Sequence, residues 1–404
     1  MRRIYLDANA TTPLLPEVFE AMRPFWMEHY GNASSIHQQG QQARGAVEQA
    51  RSAVARFLHC LNSEIVFTSG GTESDNLALF GVLSPEHTTE AAHLITTTIE
   101  HHAVLHAAEA LAKRNGAISR NIEVTFLSCT ERGVIEPAAL KAALRPNTKL
   151  VSIMFANNET GVIQPIAELA AIAHEAGALF HTDAVQASGK LPLDLSAEGP
   201  LRHVDLLTLS GHKLYAPKGI GVLFVRRNVR LAPMLHGGTH ERQRRAGTEN
   251  VACIVGLGKA AELATIWLAG DAPTQLTALR DRFEQGILSQ IEETGVNGAG
   301  APRVSNTSNL YFNHLEAEAL VIALDLKGLS ASGGSACQSG AAEPSHVLTA
   351  MGLTPARARA SIRFSLSRLT TEEEIDEALK IIPTAVARLR EISPAWNRPK
   401  PVAV

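Results

Sequence analysis

The strongest constraint on this chain is a change of period along it. Through the first two-thirds, short continuous apolar runs alternate with stretches whose apolar residues recur every three to four positions. The runs are Ile65–Ser69, His93–Thr97, Ile122–Leu127, Leu150–Phe155, Leu179–Asp183, Leu206–Ser210 and Val222–Val225. Most lack the alternation of a strand with one wet face, so they read as strands covered on both sides. Helical patterns lie between them at Glu73–Leu83, His101–Asn115, Pro137–Leu144 and Ile166–Ala176, and earlier at Pro16–Tyr30 and Gln41–Leu58. Strand–helix alternation predicts a largely parallel α/β sheet with right-handed crossovers.

After about Ala252 the pattern changes. Longer helices are expected at Val251–Leu268, Leu276–Thr294 and Thr371–Ile392, with apolar segments at Thr307–Phe312 and Ser361–Leu366. This predicts a smaller α+β unit, with Gly295–Pro302 as a loop inside it. The division drawn from sequence is a larger unit at 13–260 and a smaller one built from 1–12 and 261–404. The proline-rich end, from Ser393 through Pro401, cannot continue a helix.

Composition narrows the function classes. Lys plus Arg number 37 and Asp plus Glu 40, for a net charge of −3, so no electrostatic nucleic-acid or membrane surface is expected. No uninterrupted apolar run approaches the roughly 18 residues of a membrane span. The start of the chain shows no signal-peptide core, and a cytoplasmic protein is expected. The four cysteines, Cys60, Cys129, Cys253 and Cys337, form no CxxC pair. Neither a zinc knuckle nor a disulfide framework is expected from them.

Four constellations carry chemistry. Ser69-Gly70-Gly71-Thr72-Glu73-Ser74-Asp75-Asn76 follows a strand and opens a helix, so its backbone N–H groups suit an anion, and Thr72 and Asp75 have capping-box-like spacing. It is neither a Walker loop nor a GxGxxG dinucleotide turn. Ser210-Gly211-His212-Lys213 follows another apolar run; a lysine buried there would lose proton affinity and suit a Schiff base. Asp183 ends a third run, where a carboxylate can hold a pyridine nitrogen protonated. Glu100-His101-His102 starts a helix, where an imidazole can stack on a ring or move a proton. Each also has an ordinary reading alone: a capped helix, a solvated lysine, an Asx turn, a polar helix start. One cofactor site accounts for all four together, since each lies at the carboxyl end of a predicted strand.

With these motifs the chain resembles the pyridoxal-phosphate cysteine desulfurases of the NifS/IscS type. The resemblance runs from Tyr5-Leu6-Asp7 to Ser393-Pro394-Ala395-Trp396 and includes Asn157-Asn158-Glu159-Thr160-Gly161, His240-Glu241-Arg242, Gly247-Thr248 and Ile362-Arg363-Phe364-Ser365-Leu366. Ser332-Gly333-Gly334-Ser335-Ala336-Cys337-Gln338-Ser339 is similar to the pattern of the long-loop group, with Gly333 and Gln338 departing from it. Ala33 stands where the family usually has proline.

The resemblance implies a fold-type I transferase: a mainly parallel seven-stranded sheet flanked by helices, plus a smaller α+β domain carrying the cysteine loop. It implies that Lys213 binds pyridoxal 5'-phosphate covalently and moves the substrate proton. Asp183 would pair with the ring nitrogen, and His101 would stack on the ring and act in catalysis. Asn158 and Gln186 would address the ring hydroxyl and the substrate side. Gly71, Thr72, Ser210, Gly211 and His212 would hold the phosphate, with Thr248 reaching it from a second subunit of a homodimer. Arg363 would clamp the carboxylate of L-cysteine. Cys337 would attack the substrate sulfur, become a persulfide and leave alanine. No intrinsic metal is implied, although Cys337 can transiently ligate an iron–sulfur cluster. The sulfur would go to an iron–sulfur scaffold or another acceptor protein.

Selenocysteine lyase, a transaminase and a non-catalytic sulfur-transfer partner are the competing readings. Docking members carry a longer tail after the Trp396 region; here eight residues follow it, two of them proline, so no docking helix is expected there.

Overall fold

The first strand, β1 (Ile4–Tyr5), stands apart from the main sheet. The apolar runs form β2 (Ile65–Thr68), β3 (Ala92–Thr97), β4 (Ile122–Leu127), β5 (Thr148–Ser152), β6 (Leu179–Asp183), β7 (Leu206–Ser210) and β8 (Gly221–Val225). They pair in one sheet in the order β2-β8-β7-β6-β5-β3-β4. This is a computed structural model, and it describes residues 3–84, 86, 91–113, 122–333, 344–393 and 396.

Neighbours from β4 to β7 run parallel, and β8 runs antiparallel between β2 and β7. The connection from β7 to β8 is too short for a parallel crossover, so the chain turns back on itself. Strand order reverses at β3 and β5: from there β4 lies to one side, and β6 and β7 to the other. In open α/β sheets ligands bind in the crevice at the carboxyl ends beside such a reversal.

The helix Val251–Ala269 is long and apolar enough, by length and composition, to cross a membrane. Its apolar length was not foreseen, because small residues and single charges interrupt the apolar run in sequence. Here it packs against the helices Gln38–Leu58 and Pro16–Met22. Gly258 makes that approach possible: a Cβ there would lie 2.7 Å from Ala50.

Beyond it lie β9 (Thr294–Val296), β10 (Thr307–Phe312), β11 (Leu329–Ser330), β12 (Ser332–Gly333) and β13 (Ser361–Ser365). Four of them form an antiparallel sheet in the order β12-β13-β10-β9, while β1 pairs with β11. The start of the expected loop Gly295–Pro302 is therefore a strand. Gly295 sits opposite Tyr311, where a Cβ would meet the phenol ring at 2.5–2.7 Å. The glycine makes room for a cross-strand aromatic rather than marking a turn.

Other expectations shift for local reasons. Pro16–Tyr30 becomes two short helices, Pro16–Met22 and Pro24–Met27, because Pro24 has no N–H to continue the first. The helix expected at Leu276–Thr294 runs from Ala272 to Gln290, with proline in its first turn.

The smaller unit has its own core around Phe283, Phe312, Phe364 and Ile382, joined by Ile4 and Leu6. Val347, Leu348, Met351 and Ala358 instead belong to the core of the larger unit, as does Ala264. The N-terminal segment stitches the units together. Ala8 N donates to Ser365 O at 2.9 Å, and Thr12 N donates to His212 O at 2.9 Å.

Candidate active site

The carboxyl ends of β2, β3, β5, β6 and β7 surround a cavity of about 420 Å³. Gly71, Thr72, His101, Asn158, Asp183, Gln186, Ser210, His212, Lys213 and Arg363 all line it. Sequence positions more than 290 residues apart thus meet at one sheet edge.

The cup at Gly70 comes from a close backbone approach. Gly221 opens β8 opposite both Thr68 and Ser210, and a Cβ on it would lie 2.6 Å from the Gly70 carbonyl carbon. Gly70 has φ 157° and ψ −176°, a region only glycine populates readily. The helix Gly71–Val82 then starts without a side-chain cap at Gly70. The capping box expected from Thr72 and Asp75 does not form, because the helix begins at Gly71 and both residues already lie inside it. Glu73 closes the turn instead: its carboxylate accepts from Ser69 N at 2.7 Å and pairs with Arg245 at 2.8 Å. The Arg245 hydrogen bond and the Ser69 N–H hold the Glu73 carboxyl below its ordinary range, against the effect of burial.

Lys213 lies in the turn after β7. Its Nζ donates to the carbonyls of Asn9 at 2.5 Å and Ala10 at 2.6 Å. Asp183 ends β6, and its Oδ1 accepts from Val185 N at 2.9 Å. Burial pushes the Asp183 carboxyl up, opposed by the Val185 N–H and by Lys213. Beneath it, the buried His181 ring bridges Ser152 Oγ at 2.8 Å and Thr208 Oγ1 at 3.1 Å. Burial lowers the His181 pKa to about 3, so the ring is neutral.

His101 Nδ1 accepts from Ala103 N at 3.1 Å. Burial, with the charges of His102, Lys213 and His346 adding to it, lowers its pKa to about 4. A neutral ring whose Nδ1 accepts carries its proton on Nε2, so His101 is a hydrogen-bond donor at that atom. Arg363 stands on β13, with Nη1 donating to Asn158 O at 3.0 Å and Nη2 to Asp7 Oδ1 at 2.9 Å. Its buried Nε and the buried Asn158 Oδ1 have no hydrogen-bond partner among the described residues.

Two residues assigned from sequence are not part of the lining of this single chain. Gly211 is not among the lining residues, although its neighbours Ser210 and His212 are, and a Cβ there would lie 2.6 Å from Ile220. Thr248 is exposed and also outside the lining. Cys337 lies outside the described residues, although chain neighbours on both sides reach the cavity region. Ser332 pairs across from Arg363, and Pro344 is part of the lining. The other three thiols are held protonated by burial, Cys60 at a pKa of about 12 and Cys129 and Cys253 raised as well.

Sequence reasoning missed several lining residues: Asn9, Asp75, His102, Glu159 and His346. Glu159 is buried, and Ser345 Oγ donates to its Oε2 at 2.5 Å. Burial raises its pKa to about 7, against the Ser345 hydrogen bond and Arg363. The neighbouring motifs were visible, but no period or spacing set these five apart.

A helix start with no side-chain cap, a lysine at a strand end, a carboxyl at the next strand end and an unsatisfied amide oxygen fit pyridoxal phosphate. The fold is that of NifS-like proteins: one solved "NIFS-LIKE PROTEIN" superposes with a TM-score of 0.86 at 35% identity, over 96% of this chain and 100% of that one. The chain belongs to the class-V aminotransferase family, whose model matches residues 4–378. It is similar to "Cysteine desulfurase 2" of Trichormus variabilis, at 52% identity over 397 residues, 98% of this chain and 96% of the relative. A structure titled "SspA in complex with cysteine" matches with a TM-score of 0.78 at 35% identity, over 91% of this chain and 99% of that one. Enzymes of this family depend on pyridoxal phosphate.

Proposed function

We propose that this protein is a cysteine desulfurase: L-cysteine and the Cys337 thiol become L-alanine and a Cys337 persulfide. The observation that carries the reading is the convergence of Lys213, Asp183, His101 and Arg363 on one cavity beside the uncapped Gly71 helix start. The 52% identity to a protein named cysteine desulfurase supports it.

In this reading Gly71 and Thr72, with Ser210 and His212, hold a phosphate at the helix N-terminus. Lys213 anchors the cofactor, and Asp183 faces its ring nitrogen. Bound there, pyridoxal phosphate supplies a sink for the electron pair left at the substrate Cα. Arg363 binds the substrate carboxylate with N–H groups left over from Asp7 and Asn158. Lys213 Nζ takes the Cα proton. His101, neutral and protonated at Nε2, offers a proton rather than accepting one.

The Cys337 sulfur attacks the substrate sulfur, forming an S–S bond as the C–S bond breaks. The electron pair of that bond stays with the carbon fragment, which takes up protons and leaves as alanine. Pro344, seven residues after Cys337 in sequence, lines the cavity.

Iron–sulfur assembly or another thiolation is the proposed use of the sulfur. Thr248 is assigned to the site of a second copy, consistent with its exposure in the single chain. Incubation with L-cysteine tests the function: alanine and protein-bound sulfur form in equal amounts. Alanine without protein-bound sulfur, or no alanine at all, contradicts it.

A further inference from the structure

Lys190 is tied to the site by hydrogen bonds. It follows Gln186 by four positions in consecutive hydrogen-bonded turns that leave β6. Its Nζ donates to Gln186 Oε1 at 2.8 Å and to Asn9 Oδ1 at 3.3 Å. Gln186 Nε2 donates to the Asn9 carbonyl at 3.1 Å, the same oxygen that accepts from Lys213 at 2.5 Å.

The chemistry of the partners fixes the Gln186 amide. A lysine amine facing it supplies donors, so it must meet Oε1. A backbone carbonyl only accepts, so it must meet Nε2. Both neighbours demand the same orientation. One Nε2 hydrogen remains, and Gln186 lines the cavity. Asn9 is equally constrained: its Nδ2 donates to Asn158 O at 3.1 Å and Thr307 Oγ1 at 2.9 Å, and its Oδ1 also accepts from Asn306 at 3.1 Å.

We infer that Lys190 is a positioning residue that locks Gln186 with its N–H toward the cavity, as a donor for an anionic oxygen on an aromatic cofactor ring. The inference rests on the reading of the cavity as a pyridoxal-phosphate site. Burial, with the charges of Lys213, Arg363 and Arg368 adding to it, lowers the Lys190 pKa well below the ordinary lysine range.

A donor at the ring oxygen weakens that oxygen's hold on the proton of the neighbouring Schiff-base nitrogen. Loss of the donor therefore raises the pH at which that nitrogen titrates. The experiment is a pH titration of the absorption spectrum of the pyridoxal-phosphate-loaded protein, without substrate. Lys190→Met and Gln186→Leu are each expected to raise the midpoint by about one unit, a tenfold change in proton affinity. Lys190→Met is expected to add nothing further in a Gln186→Leu background. Lys190→Gln, one bond too short to reach the Gln186 amide, shifts the midpoint in the same direction and serves if Lys190→Met does not fold.

An unchanged midpoint in both Lys190 variants overturns the inference. So does a Lys190→Met shift that persists in full on Gln186→Leu, which would make Lys190 a point charge acting directly. A wild-type protein that forms no titrating chromophore overturns the cofactor reading itself, and this inference with it.

Discussion

Lys213 Nζ lies 2.5 Å from the carbonyl oxygen of Asn9, 204 residues earlier in the chain. That contact brings the turn after β7 and the N-terminal segment together at one point. The same segment bonds to Ser365 on β13, beside Arg363, so the cofactor end and the substrate end of the cavity share one strap. Lys213→Ala is expected to abolish covalent attachment of pyridoxal phosphate. Alanine formation from L-cysteine should fall by about a thousandfold, the scale of a lost proton-transfer group. Absorption spectra and amino-acid analysis check the two effects separately. A variant that keeps near-normal turnover would remove Lys213 from the chemistry.

Arg363 is almost fully buried and already engages Asp7 and Asn158. A charge-assisted hydrogen bond is worth about 1.5–3 kcal/mol. Arg363→Ala is therefore expected to raise KM for L-cysteine by roughly 10- to 100-fold, with a smaller change in kcat. Asp7→Asn, which loosens the arginine without removing it, should give a smaller rise. Initial-rate kinetics against L-cysteine concentration measure both. An unchanged KM in Arg363→Ala places the substrate carboxylate elsewhere.

Glu100 makes stability depend on pH. Its Oε1 accepts from Thr97 Oγ1 at 2.8 Å and Met154 N at 2.9 Å, while its buried Oε2 has no partner among the described residues. Burial raises the carboxyl from 4.5 to about 8, opposed by those two hydrogen bonds. A carboxyl raised on folding favours the folded state while protonated. Its contribution is full below the unfolded pKa and is lost as pH rises through the folded one. Between pH 5 and 8 the protein should lose stability on the order of 3–4 kcal/mol from this group. Glu100→Gln should flatten that slope. Thermal unfolding across this window is the check, and an equally steep slope in the variant assigns the effect to another group.

Arg51 and Glu241 form a buried bidentate pair, with Nη2–Oε1 at 2.8 Å and Nη1–Oε2 at 2.9 Å. Glu241 also accepts from Phe67 N at 3.1 Å, fixing the loop that leads to Thr248 onto β2. Glu241→Ala leaves a buried guanidinium short of a partner, an expected loss of about 3 kcal/mol. Urea unfolding with an unchanged m-value should show it. A loss below about 0.5 kcal/mol would put the pair in the weak class of exposed salt bridges.

Much of this architecture could be read in the sequence because burial on both faces leaves a plain signature. All seven apolar runs became strands of one sheet, and residues at the carboxyl ends of five of them met at the cavity. What stayed hidden had no periodic trace. Gly295 looked like a turn because glycine in sequence does not reveal whether φ or a neighbour such as Tyr311 requires it. Thr72 and Asp75 had capping-box spacing, but the helix started two residues earlier, at Gly71, and Glu73 closed the turn. Asn9 and Lys190 escaped notice because their importance lies in hydrogen bonds to residues far away or to a backbone carbonyl. Arg363 gave no signal of Asp7, since their pairing depends on β13 lying beside the N-terminal segment.

In the proposed reaction, Cys337 receives the sulfur. The direct measurement is mass spectrometry of the peptide carrying Cys337 after the loaded protein meets L-cysteine without an acceptor. A gain of one sulfur atom on that peptide, matched by alanine, is the expected result. The Cys337→Ala protein should keep the absorbance of bound cofactor but deliver no sulfur to acceptors. Sulfur found on Cys60, Cys129 or Cys253 instead, or sulfur delivery unchanged in Cys337→Ala, would contradict it.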